Sequence, residues 1–226
     1  MATTFQRARS DEQRALRSQA ILETAAAMLE EMAVADLSLN ELSRRVGLAK
    51  SNVLRYFDSR EAVLLELLVT SAREWIARLA EQAPAAVSRR AAFKRRAEQL
   101  ASAVTGSLVD RPVLCDLMSA QAAVLEHNVS AEAVRKYKLA SMADAKALAD
   151  LVHDALPELG DDDVWRYVIG IWVMTTALWP HARPPEAVRE AFAADERLRN
   201  SQLDFPTALE DFLTTLAVGL HARAAG

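Results

Sequence analysis

A short run of polar side chains in the N-terminal quarter of the chain has the chemistry needed to read DNA bases. Lys50, Ser51 and Asn52 are consecutive, and Arg55 follows about one helical turn later. Lysine can donate to O6 and N7 of guanine, asparagine can pair with N6 and N7 of adenine, and serine can serve either base. Arg55 can reach a base or a phosphate. We therefore predict that these four residues contact bases.

Other polar residues nearby suit the DNA backbone. Asn40, Tyr56 and Arg60 flank the base-reading run, and Arg7 and Arg9 belong to a basic N-terminal segment. Contacts to phosphates fix the register of a protein on DNA without specifying its sequence. We predict that these five residues make backbone contacts.

Two short helices must hold these side chains. Ser38 followed by Glu41 forms a capping box, which predicts a helix that begins near Leu39. Gly47 is expected to end that helix, because glycine adopts the left-handed conformation of a helix C-terminus without strain. A third helix is predicted over residues 49–57, with Val53 and Phe57 facing inward.

Such a pair of helices around a glycine turn is a helix-turn-helix, whose second helix can enter the major groove. An ordinary solvated helical hairpin would show the same polar outer face, so the pair by itself leaves both interpretations open.

The composition predicts an all-α protein. Only 6 glycines and 7 prolines occur among 226 residues, and 51% of the residues are hydrophobic. A first helix is expected over 11–32 and a helix over 61–82. The remaining helices are predicted over residues 86–107, 111–127, 130–156, 163–179, 185–194 and 206–222.

The charge and the cysteine content limit the possible functions. The net charge is −4, so a nucleic acid would have to meet a local basic patch. The single cysteine, Cys115, cannot form an internal disulfide. No signal core and no apolar run of about 20 residues is present. We expect a cytoplasmic protein without membrane partners.

No constellation for catalysis or metal binding is present in the sequence. The histidines His127, His153, His181 and His221 are scattered, and no glycine-rich phosphate loop or nucleophile elbow occurs. We therefore expect neither enzymatic activity nor a cofactor. The competing hypothesis is a helical bundle that binds or converts a small molecule without a role in DNA binding.

Residues 21–68 resemble the N-terminal domain of the tetracycline-repressor (TetR) family of transcriptional regulators. The resemblance rests on the capped second helix and on the motif residues Gly47, Tyr56, Phe57, Ser59, Arg60 and Glu61. Three positions depart from the family pattern, namely Ala33, Ala49 and Leu54. We assign Leu54 to an interface or to the core.

The resemblance implies a function and a division of the chain. Residues 1–60 would form a three-helix DNA-binding domain, residues 61–226 a helical domain for ligand binding and dimerisation, and the helix at 61–82 would bridge the two. We expect the protein to be a transcriptional regulator that acts as a repressor and binds a palindromic operator in double-stranded DNA as a homodimer. A small, hydrophobic effector would modulate this binding.

Two further sets of residues follow from this expectation. Two copies of the helix at 49–57, the recognition helix, must lie about 34 Å apart to read two half-sites, and this requires a dimer. Apolar residues of the helices at 163–179 and 206–220 are candidates for the dimer interface. The predicted interface residues are Trp165, Ile169, Leu209, Phe212, Leu213 and Leu216. The predicted pocket residues are Phe93, Leu100, Met118, Gln121, Trp172 and Thr175. Both sets could instead be plain core.

Overall fold

A computed structural model describes residues 2–199 and 201–224, with side chains described for residues 12–122, 125–199 and 201–223. This part of the chain is helical and contains no strand, which confirms the all-α prediction. Its α-helices are α1 (Ala2–Glu31), α2 (Leu39–Val46), α3 (Lys50–Val53), α4 (Arg60–Ala86), α5 (Phe93–Val109), α6 (Pro112–Ala120), α7 (Ala131–Ala155), α8 (Asp161–Ala182), α9 (Glu186–Ala194), α10 (Glu196–Arg199) and α11 (Phe205–Ala224). A π-helical turn, Gln121–Leu125, directly follows α6.

Several helix ends differ from those predicted, and two involve proline. Helix α4 continues through Pro84, because the apolar face of Leu79 extends to the buried Ala83 and Val87 at a spacing of four residues. Helix α8 likewise continues through Pro180. Its last turn is held by Trp179, whose indole nitrogen donates to Oδ1 of Asp116 over 2.7 Å.

Other helix ends differ in extent. Helix α1 begins at Ala2, about nine residues before the predicted start. Helix α5 begins at Phe93 and not near residue 86. The segment predicted as one helix over 111–127 divides into α6 and the π-helical turn. The short helix predicted over 185–194 is confirmed as α9.

The chain divides into two compact units. The first unit comprises Met1–Ser71 and Ala120–Ala140, and the second comprises Ala72–Ser119 and Ser141–Gly226. The first unit therefore joins the N-terminal segment with a segment from the middle of the chain. Each unit has its own buried apolar residues.

The first unit has its core around α1, α2 and α3. Ile21, Met28, Leu37, Leu42 and Val53 have no exposed surface. These residues come from α1, from the loop after it, and from both short helices. The polar faces of α2 and α3 are thereby left outside.

The second unit is built around α5, α8 and α11, and α11 packs against both of the other helices. Leu100, Val104, Leu209 and Leu213 are fully buried. Trp75 is also buried, and its indole nitrogen donates to Oγ of Ser107 over 2.8 Å. Within the described ranges, no helix is long and apolar enough to cross a membrane.

Candidate DNA-binding surface

Helix α2 begins as the sequence predicts. Ser38 has extended backbone angles (φ −109°, ψ 148°), and its Oγ accepts the amide hydrogen of Glu41 over 3.2 Å. The second half of the capping box differs, because the Glu41 carboxylate binds the guanidinium groups of Arg44 and Arg45. Hydrogen bonds from Arg44 and then Arg45 lower the pKa of Glu41 to about 2.

Gly47 ends helix α2 and turns the chain toward α3. Its φ of +71° lies in the left-handed region, where a side chain would be strained. The amide of Gly47 donates to the carbonyl of Arg44 over 3.3 Å, and that of Leu48 donates to Ser43 over 3.0 Å. This pair of hydrogen bonds is a Schellman motif, so the helix stop predicted at Gly47 is confirmed.

The recognition helix is shorter than predicted. Helix α3 covers only Lys50–Val53, and its N-cap residue Ala49 makes no side-chain cap. The amide of Leu54 still bonds four residues back, to Lys50 over 3.0 Å, whereas those of Arg55 and Tyr56 bond three residues back, over 3.2 Å and 2.9 Å. Residues 54–56, which we call the recognition turn, therefore follow α3 with bonds of the tighter 3₁₀ type at Arg55 and Tyr56.

The structure places all four predicted base-contacting residues on the outside of this element. Lys50, Ser51, Asn52 and Arg55 are exposed. Val53 has no exposed surface and Phe57 is buried, so the element is anchored on both sides of the recognition turn. The arrangement presents four polar side chains on a short, fixed backbone. Their contacts to bases remain a prediction.

The predicted backbone-contacting residues have different surroundings. Asn40 is exposed on α2, and Tyr56 is half-buried. Arg7 and Arg9 belong to helix α1, and their side chains lie outside the described residues.

Arg60 has hydrogen-bond partners within the protein. Its Nη2 donates to the carbonyl of Val34 over 2.8 Å and its Nη1 to that of Ala35 over 3.5 Å. The guanidinium group is thus committed to the loop between α1 and α2. We infer that Arg60 has a structural role in place of a phosphate contact, because these two bonds hold its guanidinium group against the loop.

A groove with a volume of about 790 Å³ lies between α1 and the recognition turn, and no pattern in the sequence indicates it. It is lined by Gln13, Arg14, Leu16, Arg17, Ala20, Leu48, Asn52, Arg55 and Tyr56. Three arginines make it basic, although the chain as a whole is acidic. A local basic groove of this kind suits a phosphate backbone.

Two apolar residues of this region, Leu16 and Leu54, are exposed. For Leu54 the exposure excludes the core and leaves the interface, which is the other alternative of the sequence-based assignment. Neither belongs to the core of the first unit. Leu54 points outward because Val53 and Phe57 take the two inward positions around the recognition turn.

The predicted pocket residues do not form one described cavity. Leu100, Met118 and Thr175 are buried in the second unit, and Phe93 and Trp172 are half-buried there. The Thr175 hydroxyl donates to the carbonyl of Ile171 over 2.7 Å. Gln121 belongs to the first unit, where it donates to Glu126.

The predicted interface residues separate into two groups. Leu209 and Leu213 have no exposed surface in the single chain, so we correct their assignment from the interface to the core of the second unit. Trp165, Ile169 and Phe212 are exposed, and Leu216 is half-buried. Their role in an interface remains a prediction.

Comparison with known families identifies the class of protein. Residues 21–67 match the family described as bacterial regulatory proteins of the tetR family. Residues 69–224 match the family described as the tetracyclin repressor-like C-terminal domain. The chain therefore belongs to the TetR family of transcriptional regulators and carries its helix-turn-helix DNA-binding domain. The family resemblance seen in the sequence is confirmed.

Individual relatives are similar over about a quarter of the chain or over most of the fold. The HTH-type transcriptional regulator EthR of Mycobacterium tuberculosis is 44% identical over 52 residues, which are 23% of this chain and 24% of EthR. The chain thus matches about a quarter of the length of that curated relative.

Solved structures share the fold at low sequence identity. A possible TetR family regulator of Streptomyces coelicolor A3(2) aligns with 92% of this chain and 99% of its own, at 21% identity and a TM-score of 0.57. FadR of Bacillus subtilis, solved in complex with stearoyl-CoA, aligns with 90% of this chain and 99% of its own, at 14% identity and a TM-score of 0.54. These similarities concern the fold alone.

Proposed function

We propose that this protein is a cytoplasmic repressor that binds a palindromic operator as a homodimer and responds to a small hydrophobic effector. The observation that carries the proposal is the exposure of Lys50, Ser51, Asn52 and Arg55 on one short element. This element is fixed by the buried Val53 and by the Gly47 turn. Base-reading groups on a rigid backbone are what direct readout in the major groove requires.

Selection from a random pool of DNA duplexes tests this proposal. We expect the purified full chain to enrich an inverted repeat whose half-sites lie about one helical turn apart. The logarithm of its affinity should fall linearly with the logarithm of the salt concentration. If the protein enriches no sequence at low salt, the regulator proposal is refuted.

A substitution of Asn52 tests the assignment of base contacts. Asn52→Ala should cost about 1 to 3 kcal/mol on the selected operator and relax the preference at one base position. A matched control is Asn40→Ala, because this exposed asparagine lies on α2 and is assigned to the backbone. The control should weaken binding to all sequences alike. An Asn52 variant with unchanged base preference would contradict the assignment.

The dimer proposal is supported by an exposed apolar stripe on helix α8. Trp165, Ile169 and Val173 follow each other at a spacing of four residues, and each is between 42% and 58% exposed. This spacing places them on one face of the helix. Phe212 on α11 is also exposed, and exposed apolar residues grouped on one helix face are typical of an interaction site.

Helices α8 and α11 support this surface through a close approach. A Cβ atom added to Gly170 would clash with Cδ2 of Leu216, so the glycine allows the two helices to pack closely at this point. We propose that a second copy of the chain covers the stripe, so that the α8 and α11 helices of two subunits form a four-helix interface.

The stripe can be tested by introducing a charge. Ile169→Asp should convert the dimer to a monomer in sedimentation velocity, because an unpaired carboxylate cannot be buried in an apolar interface. It should also weaken operator binding strongly. Val188→Asp is the matched control, since Val188 is a similarly exposed valine on α9. A dimeric Ile169→Asp protein would refute this placement of the interface.

The effector proposal concerns the second unit. Two hydroxyl groups there, Oη of Tyr167 and Oγ1 of Thr105, are buried and have no hydrogen-bond partner among the described residues. Such groups in an apolar interior suit a ligand that is mainly hydrophobic and carries a few polar atoms. The fold is compatible with an acyl ligand, since FadR of Bacillus subtilis was solved with stearoyl-CoA.

Thermal unfolding with a panel of acyl-CoA thioesters, fatty acids and aromatic compounds tests this part. A true effector raises the melting temperature and changes the affinity for the selected operator, because it binds the two conformations with different affinity. Tyr167→Phe removes one of the two hydroxyl groups and should weaken that response. A panel that shifts neither quantity would contradict a hydrophobic effector of these classes.

A further inference from the structure

One arginine of helix α1 contacts two consecutive residues of the recognition turn. Nη2 of Arg14 donates to the carbonyl oxygen of Arg55 over 3.3 Å. Cζ of the same guanidinium group lies 5.8 Å from the ring centroid of Tyr56, within the range of a cation–π contact. Arg14 therefore reaches from α1 to the turn that carries Arg55.

The contact from α1 falls where the backbone of the recognition turn restrains it least. The amides of Leu54 and Phe57 bond four residues back, whereas those of Arg55 and Tyr56 bond three residues back, in a geometry poorer than that of an α-helix. Val53 and Phe57 anchor the turn at its two ends, but Leu54, Arg55 and Tyr56 between them are exposed or half-buried. The core thus fixes the ends of the turn and not its outer side.

Two arginines that line the groove beside α1 differ in their contacts. Arg14 and Arg17 both line it, one turn apart on the same helix. The hydrogen bond and the ring contact described above belong to Arg14. No contact of Arg17 with the recognition turn is present among the described side-chain hydrogen bonds and ring contacts. Arg17 therefore serves as a natural comparison with the same charge and nearly the same place.

We infer that Arg14 is a positioning residue for DNA recognition, which holds the recognition turn so that the Arg55 side chain is directed at the DNA. The inference rests on the proposed DNA-binding function and adds a residue outside the helix-turn-helix. Arg14 acts through the backbone of Arg55 and the ring of Tyr56. A lysine cannot replace it, because only the planar guanidinium group combines the fork of donors with stacking on a ring.

The first experiment needs no DNA. Hydrogen–deuterium exchange of the full chain is compared for the original protein, Arg14→Ala, Arg14→Lys and Arg17→Ala. We expect faster exchange in the peptide that covers residues 53–57 for both Arg14 variants and no change for Arg17→Ala. Unchanged exchange in both Arg14 variants would overturn the inference, as would full protection restored by lysine.

The second experiment uses an operator duplex selected by the original protein. Arg14→Ala and Arg14→Lys should both bind it about five- to tenfold more weakly, since each loses a cation–π contact and a charged hydrogen bond. The salt dependence should stay as in the original protein. Arg17→Ala should instead lower the slope of log affinity against log salt by up to about 1, as expected for a phosphate contact.

The outcomes separate the two proposals. If the original protein selects no operator, the proposed function fails, whereas the exchange experiment still decides on the contact made by Arg14. If the original protein selects an operator and Arg14→Lys binds it as tightly, Arg14 provides only a charge and the inference is overturned. Circular dichroism of each variant must show the original helix content, so that misfolding is not read as lost positioning.

Discussion

Replacing Arg60 by alanine should destabilise the first unit and leave the electrostatics of DNA binding unchanged. The guanidinium group donates to the carbonyls of Val34 and Ala35, which lie in the loop between α1 and α2. That loop leads to Ser38, the N-cap of α2. The loss therefore loosens the connection that sets where α2 begins.

The size of the effect follows from the two distances. A hydrogen bond from a charged donor contributes about 1.5 to 3 kcal/mol to stability. Only the bond to Val34, at 2.8 Å, is of full strength, and the one to Ala35, at 3.5 Å, is longer than usual and weak. The side chain is also 23% exposed, so water replaces part of what is lost. We expect a loss of about 1 to 2 kcal/mol.

The assay combines unfolding with DNA binding. Calorimetry should show a melting temperature lower by about 2 to 8 °C for Arg60→Ala. Arg95→Ala is the control, because Arg95 forms an exposed pair with Glu98 and such pairs contribute little. The slope of log affinity against log salt should be unchanged. An unchanged melting temperature together with a slope lower by about 1 would show that Arg60 contacts a phosphate, and the reasoning would be refuted.

Three further predictions concern single groups. The pKa of Glu41 is about 2 in the folded protein, which is lower than in the unfolded chain. The ion pairs of Glu41 therefore stabilise the fold at neutral pH, and this stabilisation is lost as the pH falls from about 4.5 towards 2. The free energies of unfolding in urea of Glu41→Gln and of the original protein should converge over that range. Burial raises the pKa of the Cys115 thiol to about 12. A thiol reagent at pH 8 should therefore label Cys115 only as fast as the protein unfolds. Rapid labelling would show that Cys115 is accessible in the folded protein. Oγ of Ser130 donates to Oδ2 of Asp58 over 2.9 Å and accepts the amide hydrogen of Ala133 over 3.1 Å. Ser130→Asp keeps a capping group but places its carboxylate against that of Asp58, so it should speed amide exchange in residues 57–59. Exchange as slow as in the original protein would show that the contact does not restrain this loop.

The relation of Ser130 to Asp58 also illustrates what a division by sequence misses. Residues 120–140 fall within the range matched by the C-terminal family domain, yet they cluster with residues 1–71. Lys136 pairs with Glu66 over 2.8 Å inside this unit. Contacts between residues 70 apart in sequence leave no local pattern, so the sequence gives no sign of them.

Local structure around the recognition helix could be predicted because its causes are local. The Ser38 hydroxyl satisfies an amide three residues away, and Gly47 alone among neighbouring residues adopts a positive φ without strain. The inward positions of Val53 and Phe57 follow from helical spacing. The polar side chains of Lys50, Ser51 and Asn52 are exposed because, at the same spacing, Val53 and Phe57 take the inward positions.

The helical class, the start and stop of α2, the polar outer face of α3 and the family all follow from residue types and their spacing. Which long side chains turn inward or toward a neighbour depends on the tertiary structure. Arg60 and Arg14 are both arginines near the recognition helix, but one binds the α1–α2 loop and the other binds the recognition turn. Likewise Ile169 is exposed on α8 whereas Leu213 on α11 is buried. Periodicity identifies an apolar or basic face, but the partner of that face depends on packing between helices distant in sequence, which spacing along one helix does not encode.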